Sequence, residues 1–255
     1  MVFSDTGPLA AGIIPARFAS TRFPGKPLAQ IRGVSMIERV YRQASACSLL
    51  RMVAVATDDA RIFDHVEGFG GKVLMTSPHH QSGTDRIAEA VEILETRGEK
   101  FEIAVNIQGD EPFIQPEQIA DVIRLFRNPE VEIATLVKSI TTAGDLFNPN
   151  VVKVISASNG RALLFSRSPI PYFRGKAEAQ WVNAYPYFKH IGIYAYRTDV
   201  LKKIARLPQA PLEVAESLEQ LRWLWNGFSI FTGMTDFETV GIDTPEDLLK
   251  LTNIA

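Results

Sequence analysis

The sequence predicts an α/β protein in which a mostly parallel sheet carries helices on both faces and is interrupted by an antiparallel insertion. Three observations carry that prediction. Short apolar runs alternate with helix-period segments through the first 130 residues; glycine, proline and capping residues punctuate the alternation; and hairpin-like patterning replaces it after about residue 131. The 255 residues are read as a single domain spanning 1–255, with the antiparallel insertion at about 135–215.

The first strand is LAAGII (9–14). VSMIERVYRQA follows as a helix, with Ile37, Val40, Tyr41 and Ala44 at helical spacing. MVAVAT (52–57) reads as a buried strand, and DDARIFDHVEGFGG as a helix that ends at glycine. KVLMT is the next strand, and GTDRIAEAVEIL a helix with Ile87, Val91 and Leu94 on one face. EIAVNIQ (102–108) is a strand, and PEQIADVIRLF a helix opening on Pro116. Beyond it, VVKVISASNGRALLFSR predicts a hairpin with a two-residue turn at Asn159-Gly160. HIGIYAYR (190–197) predicts a strand and LEVAESLEQLRWLWNG one helix stopping at Asn226-Gly227. FSIFTG and FETVGI predict final strands. TPEDLLKL predicts a helix with Thr244 as N-cap and Pro245 at its first position.

Composition excludes several classes of function. A formal net charge of -2 lacks the basic excess of a nucleic-acid binder. The single cysteine, Cys47, permits neither an intrachain disulfide nor a cysteine zinc cluster, and fits a reducing compartment. MVFSDTGPLA lacks the features of a secretory signal, and no apolar run approaches the roughly 20 residues of a membrane helix. A cytoplasmic protein, not inserted in a membrane, is the expectation.

Against that near-neutral background, IIPARFASTRFPGKPL stands out. Arg17, Arg22 and Lys26 follow the first strand, and no acidic residue occurs between Asp5 and Glu38. In open parallel sheets, ligands are held where strands end and loops begin. The loop is neither of the glycine-rich phosphate loops, because it has one glycine, Gly25, and relies on side-chain cations. Arg17 can fork onto phosphate oxygens, Lys26 can act as a point charge, and Pro24 and Pro27 restrict the backbone around it. A solvated basic loop would have the same composition; the position after strand one favours a small anionic ligand.

NIQGDEP places Asp110 at the carboxyl end of its strand, on the same rim. Magnesium takes hard oxygen ligands, commonly one or two carboxylates completed by phosphate and water. Asp243 is the second candidate ligand: Thr244 supplies the helix cap with Asp247 three residues on, which leaves Asp243 free. Glu111, followed by Pro112, reads as shaping the turn.

The loop resembles the signature of the sugar-acid cytidylyltransferases, and most closely the 3-deoxy-manno-octulosonate (Kdo) cytidylyltransferase family. The likeness runs on through ATDD (56–59), HQSGTDR (80–86), NIQGDEP (106–112), LFSRSPIP (164–171), HIGIYAYR, LEQLR (218–222) and GIDTPEDL (241–248). It implies a Rossmann-like nucleotide-diphospho-sugar transferase fold and a homodimer. The implied reaction joins CTP to Kdo, releases pyrophosphate, and activates Kdo for lipopolysaccharide biosynthesis. It assigns Arg17, Lys26, Asp110 and Asp243 to catalysis, with Mg2+ on the two aspartates. The nucleotide falls to Pro15, Ala16, Arg17, Lys26 and Asp110, with Ser82, Gly83 and Arg86 on the cytosine side. Kdo falls to Gln108, Arg167, His190, Tyr194, Glu219 and Gln220. Those residue types suit an acid with many hydroxyls: a cation for its carboxylate, and amides, carboxylate or imidazole for its hydroxyls. Trp223 and Trp225 read as packing or a subunit contact. A sialic-acid cytidylyltransferase, a nucleotide-sugar glycosyltransferase and a noncatalytic nucleotide-sugar binder are the rivals.

Overall fold

The structure, a computed structural model, describes residues 8–19, 22–238 and 241–252. Strand β1 (Ala10–Ala16) leads through the basic loop to a small ribbon, β2 (Gln30–Ile31) and β3 (Val34–Ser35). Helix α1 (Met36–Ser45) starts on Ser35, whose hydroxyl accepts the Glu38 N–H. After β4 (Leu50–Thr57), Asp59 caps α2 (Ala60–Gly68) in the same way, and β5 (Val73–Met75) follows. Helix α3 (Gly83–Thr96) opens with a reciprocal capping box between Ser82 and Asp85. Strand β6 (Ile103–Asn106) precedes α4 (Pro116–Arg124), which starts on proline as the sequence predicts.

The second half contains β7 (Ile133–Ser139), α5 (Ala143–Phe147), β8 (Lys153–Ser156), β9 (Ala162–Ser166), α6 (Trp181–Ala184) and β10 (Phe188–Arg197). It continues with α7 (Thr198–Ile204), α8 (Pro211–Glu216), α9 (Gln220–Trp225), β11 (Ile230–Met234) and α10 (Pro245–Thr252). The main sheet runs β11-β7-β10-β6-β1-β4-β5, with the β8–β9 hairpin branching from β10. β6, β1, β4 and β5 are mutually parallel, while β10 lies antiparallel between β6 and β7. This is the mostly parallel α/β fold the sequence predicts. The antiparallel strand 190–197 sits in the centre of the main sheet rather than beside it.

Alternate residues of each strand feed two cores. Ile14, Val53 and Val105 pack with α1, α2 and α4, whereas Ile13, Ala54 and Ala104 pack with α3, α7 and α9. Both faces are therefore sealed, and ligands are confined to the sheet's rim.

Three local expectations are corrected. The 151–167 hairpin forms, but its turn is closed by the Gly160 N–H on the Ala157 carbonyl at 2.9 Å, and Gly160 takes φ +85°. That makes a longer loop with a left-handed glycine, not a two-residue turn. The helix expected over LEVAESLEQLRWLWNG is two helices. They part at Ser217 (φ +51°), where the Arg167 guanidinium draws off the carbonyls of Glu216 (2.6 Å) and Ser217 (3.4 Å). Within FETVGI, residues 239–240 lie outside the described residues, and the flanking positions are not strand.

Candidate active site

The basic loop leaves β1 at the carboxyl rim and folds back on itself. The Gly25 N–H bonds the Phe18 carbonyl at 2.9 Å, and Gly25 takes φ +73°, open to glycine without strain. Arg61, held by Asp59, stacks on the Phe18 ring with its guanidinium carbon 3.3 Å from the ring centroid. Lys26 then enters a single helical turn beside buried Pro27.

Asp110 reaches the same point from β6. Gly109 allows it, because a side chain there would start 3.0 Å from the Pro15 carbonyl. Asp243 arrives from the segment after β11. The Ile242 N–H donates to the Asp110 carbonyl at 3.0 Å, and the Ile242 side chain is fully buried against Ile31 and Met36. That backbone bond ties the two aspartates together. Thr244 and Asp247 form the reciprocal cap of α10 (3.1 and 3.2 Å), so the Asp243 carboxylate is free of capping duty, as the sequence predicts.

The side chains converge. Lys26 Nζ donates to Asp110 Oδ2 at 2.6 Å and to Asp243 Oδ1 at 3.4 Å. Arg22, which the sequence placed in the loop without a role, forks onto both oxygens of Asp243 at 3.2 and 3.3 Å. Arg17 lines the same cleft, exposed and without an ion pair among the described residues. Pro15, Ala16, Ser82, Gly83, Arg86 and Gln108 line it too, so the loop and the HQSGTDR segment face each other across one space.

On that second wall the polar groups are pinned from behind. Arg86 is buried, bonded to Thr76 Oγ1 at 2.6 Å and paired with Asp58 at 3.3 Å. His80 Nε2 lies 2.5 Å from Glu89 Oε2, which also accepts the Ser77 N–H at 2.8 Å. The partner of His80 is therefore a carboxylate from within α3.

The remaining candidates surround β10. Because β10 runs antiparallel, its amino-terminal half lies at the same rim as the cleft, and Tyr194 pairs in register with Asn106. Gln108 Nε2 donates to the Gly192 carbonyl at 3.3 Å. His190 Nε2 meets Thr135 Oγ1 at 2.9 Å, and burial alone pushes its pKa down to about 4, so the ring is neutral at physiological pH. Tyr194 is buried between His190 and Trp223, and its hydroxyl has no partner. Glu219 Oε2 accepts from Thr84 at 2.9 Å while its buried Oε1 is unpaired, and desolvation raises its pKa. Arg167 is spent largely on backbone carbonyls of Pro149, Glu216 and Ser217. Gln220 is buried and does not line the cleft. Trp223 is fully buried, and Trp225 is exposed.

Glu111 differs from its reading as a turn residue. Its carboxyl is buried beside Gly192 with one oxygen unpaired, and desolvation, then the neighbouring Asp110 charge, pushes its pKa up to about 8. No pattern in the sequence distinguishes it from Asp110, since adjacent carboxylates look alike until the fold sends one inward.

An α/β sheet whose carboxyl rim holds cations against paired aspartates defines a nucleotide-handling transferase class, and a family model for cytidylyltransferases matches residues 11–232. Among relatives, the chain is 56% identical over 243 residues to 3-deoxy-manno-octulosonate cytidylyltransferase of Parabacteroides distasonis, covering 94% of this chain and 95% of that one. It is 49% identical to the enzyme of that name from Geobacter sulfurreducens, over 94% of this chain and 96% of that one. A solved structure, CMP:2-keto-3-deoxy-manno-octonic acid synthetase complexed with CTP, superposes with a TM-score of 0.87 at 43% identity, covering 96% and 97% of the two chains. The chain belongs to the 3-deoxy-manno-octulosonate cytidylyltransferase family. A 4-diphosphocytidyl-2C-methyl-D-erythritol synthase from Anaerococcus prevotii, 13% identical with a TM-score of 0.59 over 96% of this chain and 97% of that one, shares the fold.

Proposed function

We propose that the protein joins CTP to Kdo, giving CMP-Kdo and pyrophosphate. The observation that carries this is the convergence of Lys26, Asp110 and Asp243, from three separate parts of the chain, on one point of the sheet's rim. Family membership supplies the substrates.

Asp110 and Asp243 both aim at the spot that the Lys26 ammonium holds, so they suit a small hard cation. The described residues contain no cluster of three or more His, Cys, Asp or Glu, so phosphate oxygens and water would complete its shell. We assign Mg2+ to this pair. When bound, the ion supplies Lewis-acid charge at the transferring phosphoryl group. The displaced Lys26, with Arg17 and Arg22, would then face the triphosphate and stabilise charge building on the leaving pyrophosphate. The sugar acid's anomeric 2-hydroxyl attacks the α-phosphorus in line, and the P–O bond to pyrophosphate breaks on the opposite side. Gln108, His190, Tyr194 and Glu219 would orient the acceptor, with Arg167 toward its carboxylate. His190, neutral and desolvated, acts there as a hydrogen-bonding group and not as a charge. No helix among the described residues is long and apolar enough to cross a membrane. The reading includes a cytoplasmic homodimer, for which exposed Tyr172, Tyr185 and Trp225 offer apolar surface.

A pyrophosphate-release assay with CTP, Mg2+ and a panel of sugar acids tests it. Release with Kdo alone is expected. Preference for a sialic acid would replace the acceptor, and silence with every acceptor would leave a nucleotide-sugar binder.

A further inference from the structure

Strand β10 is interrupted between His190 and Tyr194. Against β7, Ile191 faces Leu136 and Tyr194 faces the adjoining residue, Thr135, so Gly192 and Ile193 are two extra residues in that ladder. Bulges of this kind re-aim the neighbouring side chains and free backbone carbonyls. Here side chains take the carbonyls. Gln108 Nε2 donates to Gly192 at 3.3 Å, and the Thr135 hydroxyl lies 2.7 Å from the Ile193 carbonyl and 3.2 Å from that of Ile191. Thr135 is fully buried on β7.

The same hydroxyl meets His190 Nε2 at 2.9 Å, and its own bonds decide which way that contact runs. A hydroxyl has one hydrogen to give, and a carbonyl can only accept. If Thr135 gave its hydrogen to the ring, its oxygen would lie 2.7 Å from the Ile193 carbonyl with nothing between two sets of lone pairs. The hydrogen therefore goes to a carbonyl, and Oγ1 accepts from a hydrogen on Nε2. Burial lowers the His190 pKa to about 4, so the ring is neutral at physiological pH and Nδ1 keeps a lone pair directed away from Thr135. Nδ1 has no hydrogen-bond partner among the described residues. The Tyr194 ring, 5.1 Å away, carries a second unpaired polar atom, its hydroxyl.

We infer that Thr135 is a positioning residue: its hydroxyl closes the bulge and fixes His190 as the Nε2–H tautomer, so that Nδ1 accepts from a hydroxyl of the sugar acid. This rests on the proposed function for the presence of that sugar. A fixed acceptor suits a hydroxyl, which can donate, and refuses the carboxylate of the same molecule, which cannot.

The test reads the ring and the substrate separately. In full-length protein isotope-labelled at histidine, long-range proton–nitrogen correlation spectra report which ring nitrogen carries hydrogen. The His190 signals are those absent from His190→Gln. Wild-type protein without ligand should show His190 in the neutral Nε2–H form alone. Thr135→Ser should keep that form, whereas Thr135→Val, which has the shape without the hydroxyl, should give a mixture of tautomers. In pyrophosphate-release kinetics, Thr135→Val should raise KM for Kdo about tenfold, the worth of one hydrogen bond, with kcat and KM for CTP within about twofold of wild type. Thr135→Ser should hold KM for Kdo within about threefold of wild type. If Thr135→Val does not fold, Thr135→Cys, whose thiol is a weak donor and a weak acceptor, is read in its place. An Nδ1–H or charged His190 in the wild type overturns the inference. So does an unchanged tautomer, or an unchanged KM for Kdo, in the folded variant that lacks the hydroxyl. Wild-type protein that releases no pyrophosphate with any sugar acid sinks the proposed function instead, and the spectra still decide what Thr135 does to the ring.

Discussion

In the cleft, Lys26 and Arg22 pair with Asp110 and Asp243, and side-chain exposure runs from 15% at Lys26 to 67% at Arg22. Around β10, His190 is neutral at physiological pH, and the buried Tyr194 hydroxyl has no protein partner. The first region resembles a reversible latch, in which, on the proposed function, a lysine occupies the place that the assigned metal would take. The second resembles a mould, whose unpaired groups are costly to bury and, on the proposed function, would be partnered by the hydroxyls of the sugar acid. On the proposed function, charge would assemble the reacting centre, whereas desolvated dipoles would choose what is brought to it.

The sharpest way to break that contrast is at Lys26. Lys26→Ala should reduce turnover by on the order of 10²- to 10³-fold, the usual cost of one preorganised charge donor, with the fold intact by circular dichroism. Lys26→Arg should recover little of it, because a fork is not a point charge. Near-normal pyrophosphate release from the alanine variant would remove the cleft from catalysis.

Next comes the metal pair. Asp243→Asn should raise the Mg2+ concentration for half-maximal turnover by at least the 10- to 100-fold that loss of a mere supporting residue costs. Identical Mg2+ titrations of variant and wild type would leave Asp243 as a partner of Arg22 only.

The mould has a pH signature. His190 has a folded pKa of about 4 against an ordinary 6.5. As pH falls through 6.5 the unfolded chain takes up the proton first, so stability present above 6.5 is lost progressively down to about 4. The loss should be roughly 3 kcal/mol. His190→Gln should flatten urea-derived stability across that window. An equally steep variant would mean that the histidine is hydrated.

The smallest effect is the most discriminating. Tyr194→Phe removes an unpaired buried hydroxyl, so stability should hold or rise by about 1 kcal/mol. The KM for the sugar acid should rise about tenfold over the same substitution, since one hydrogen bond to substrate is lost. A Tyr194→Phe protein that is destabilised with unchanged KM would make the chamber ordinary core.

Much of this was legible in the sequence. The strand–helix alternation gave the parallel sheet, because each buried strand and each amphipathic helix writes its own period into a short window. Arg17, Lys26 and Asp110 could be picked out because loops at strand ends expose chemistry next to strong periodic signals, and Asp243 because the neighbouring Thr244 caps the helix in its stead. What stayed hidden depends on long-range geometry. Glu89 lies within a regular helix and meets His80 only after the segment between β5 and α3 folds. Glu111 turns inward beside Gly192 while its neighbour Asp110 turns outward. Ser217 breaks a helix that its own sequence would continue, because Arg167, fifty residues earlier in the chain, takes the carbonyls.

The bond from the Ile242 N–H to the Asp110 carbonyl has a consequence for synthesis. A ribosome will have finished nearly the whole sheet before residue 242 emerges, and until then one aspartate stands alone at the rim. The pairing of the two acidic side chains is therefore among the last features of the fold that synthesis can complete.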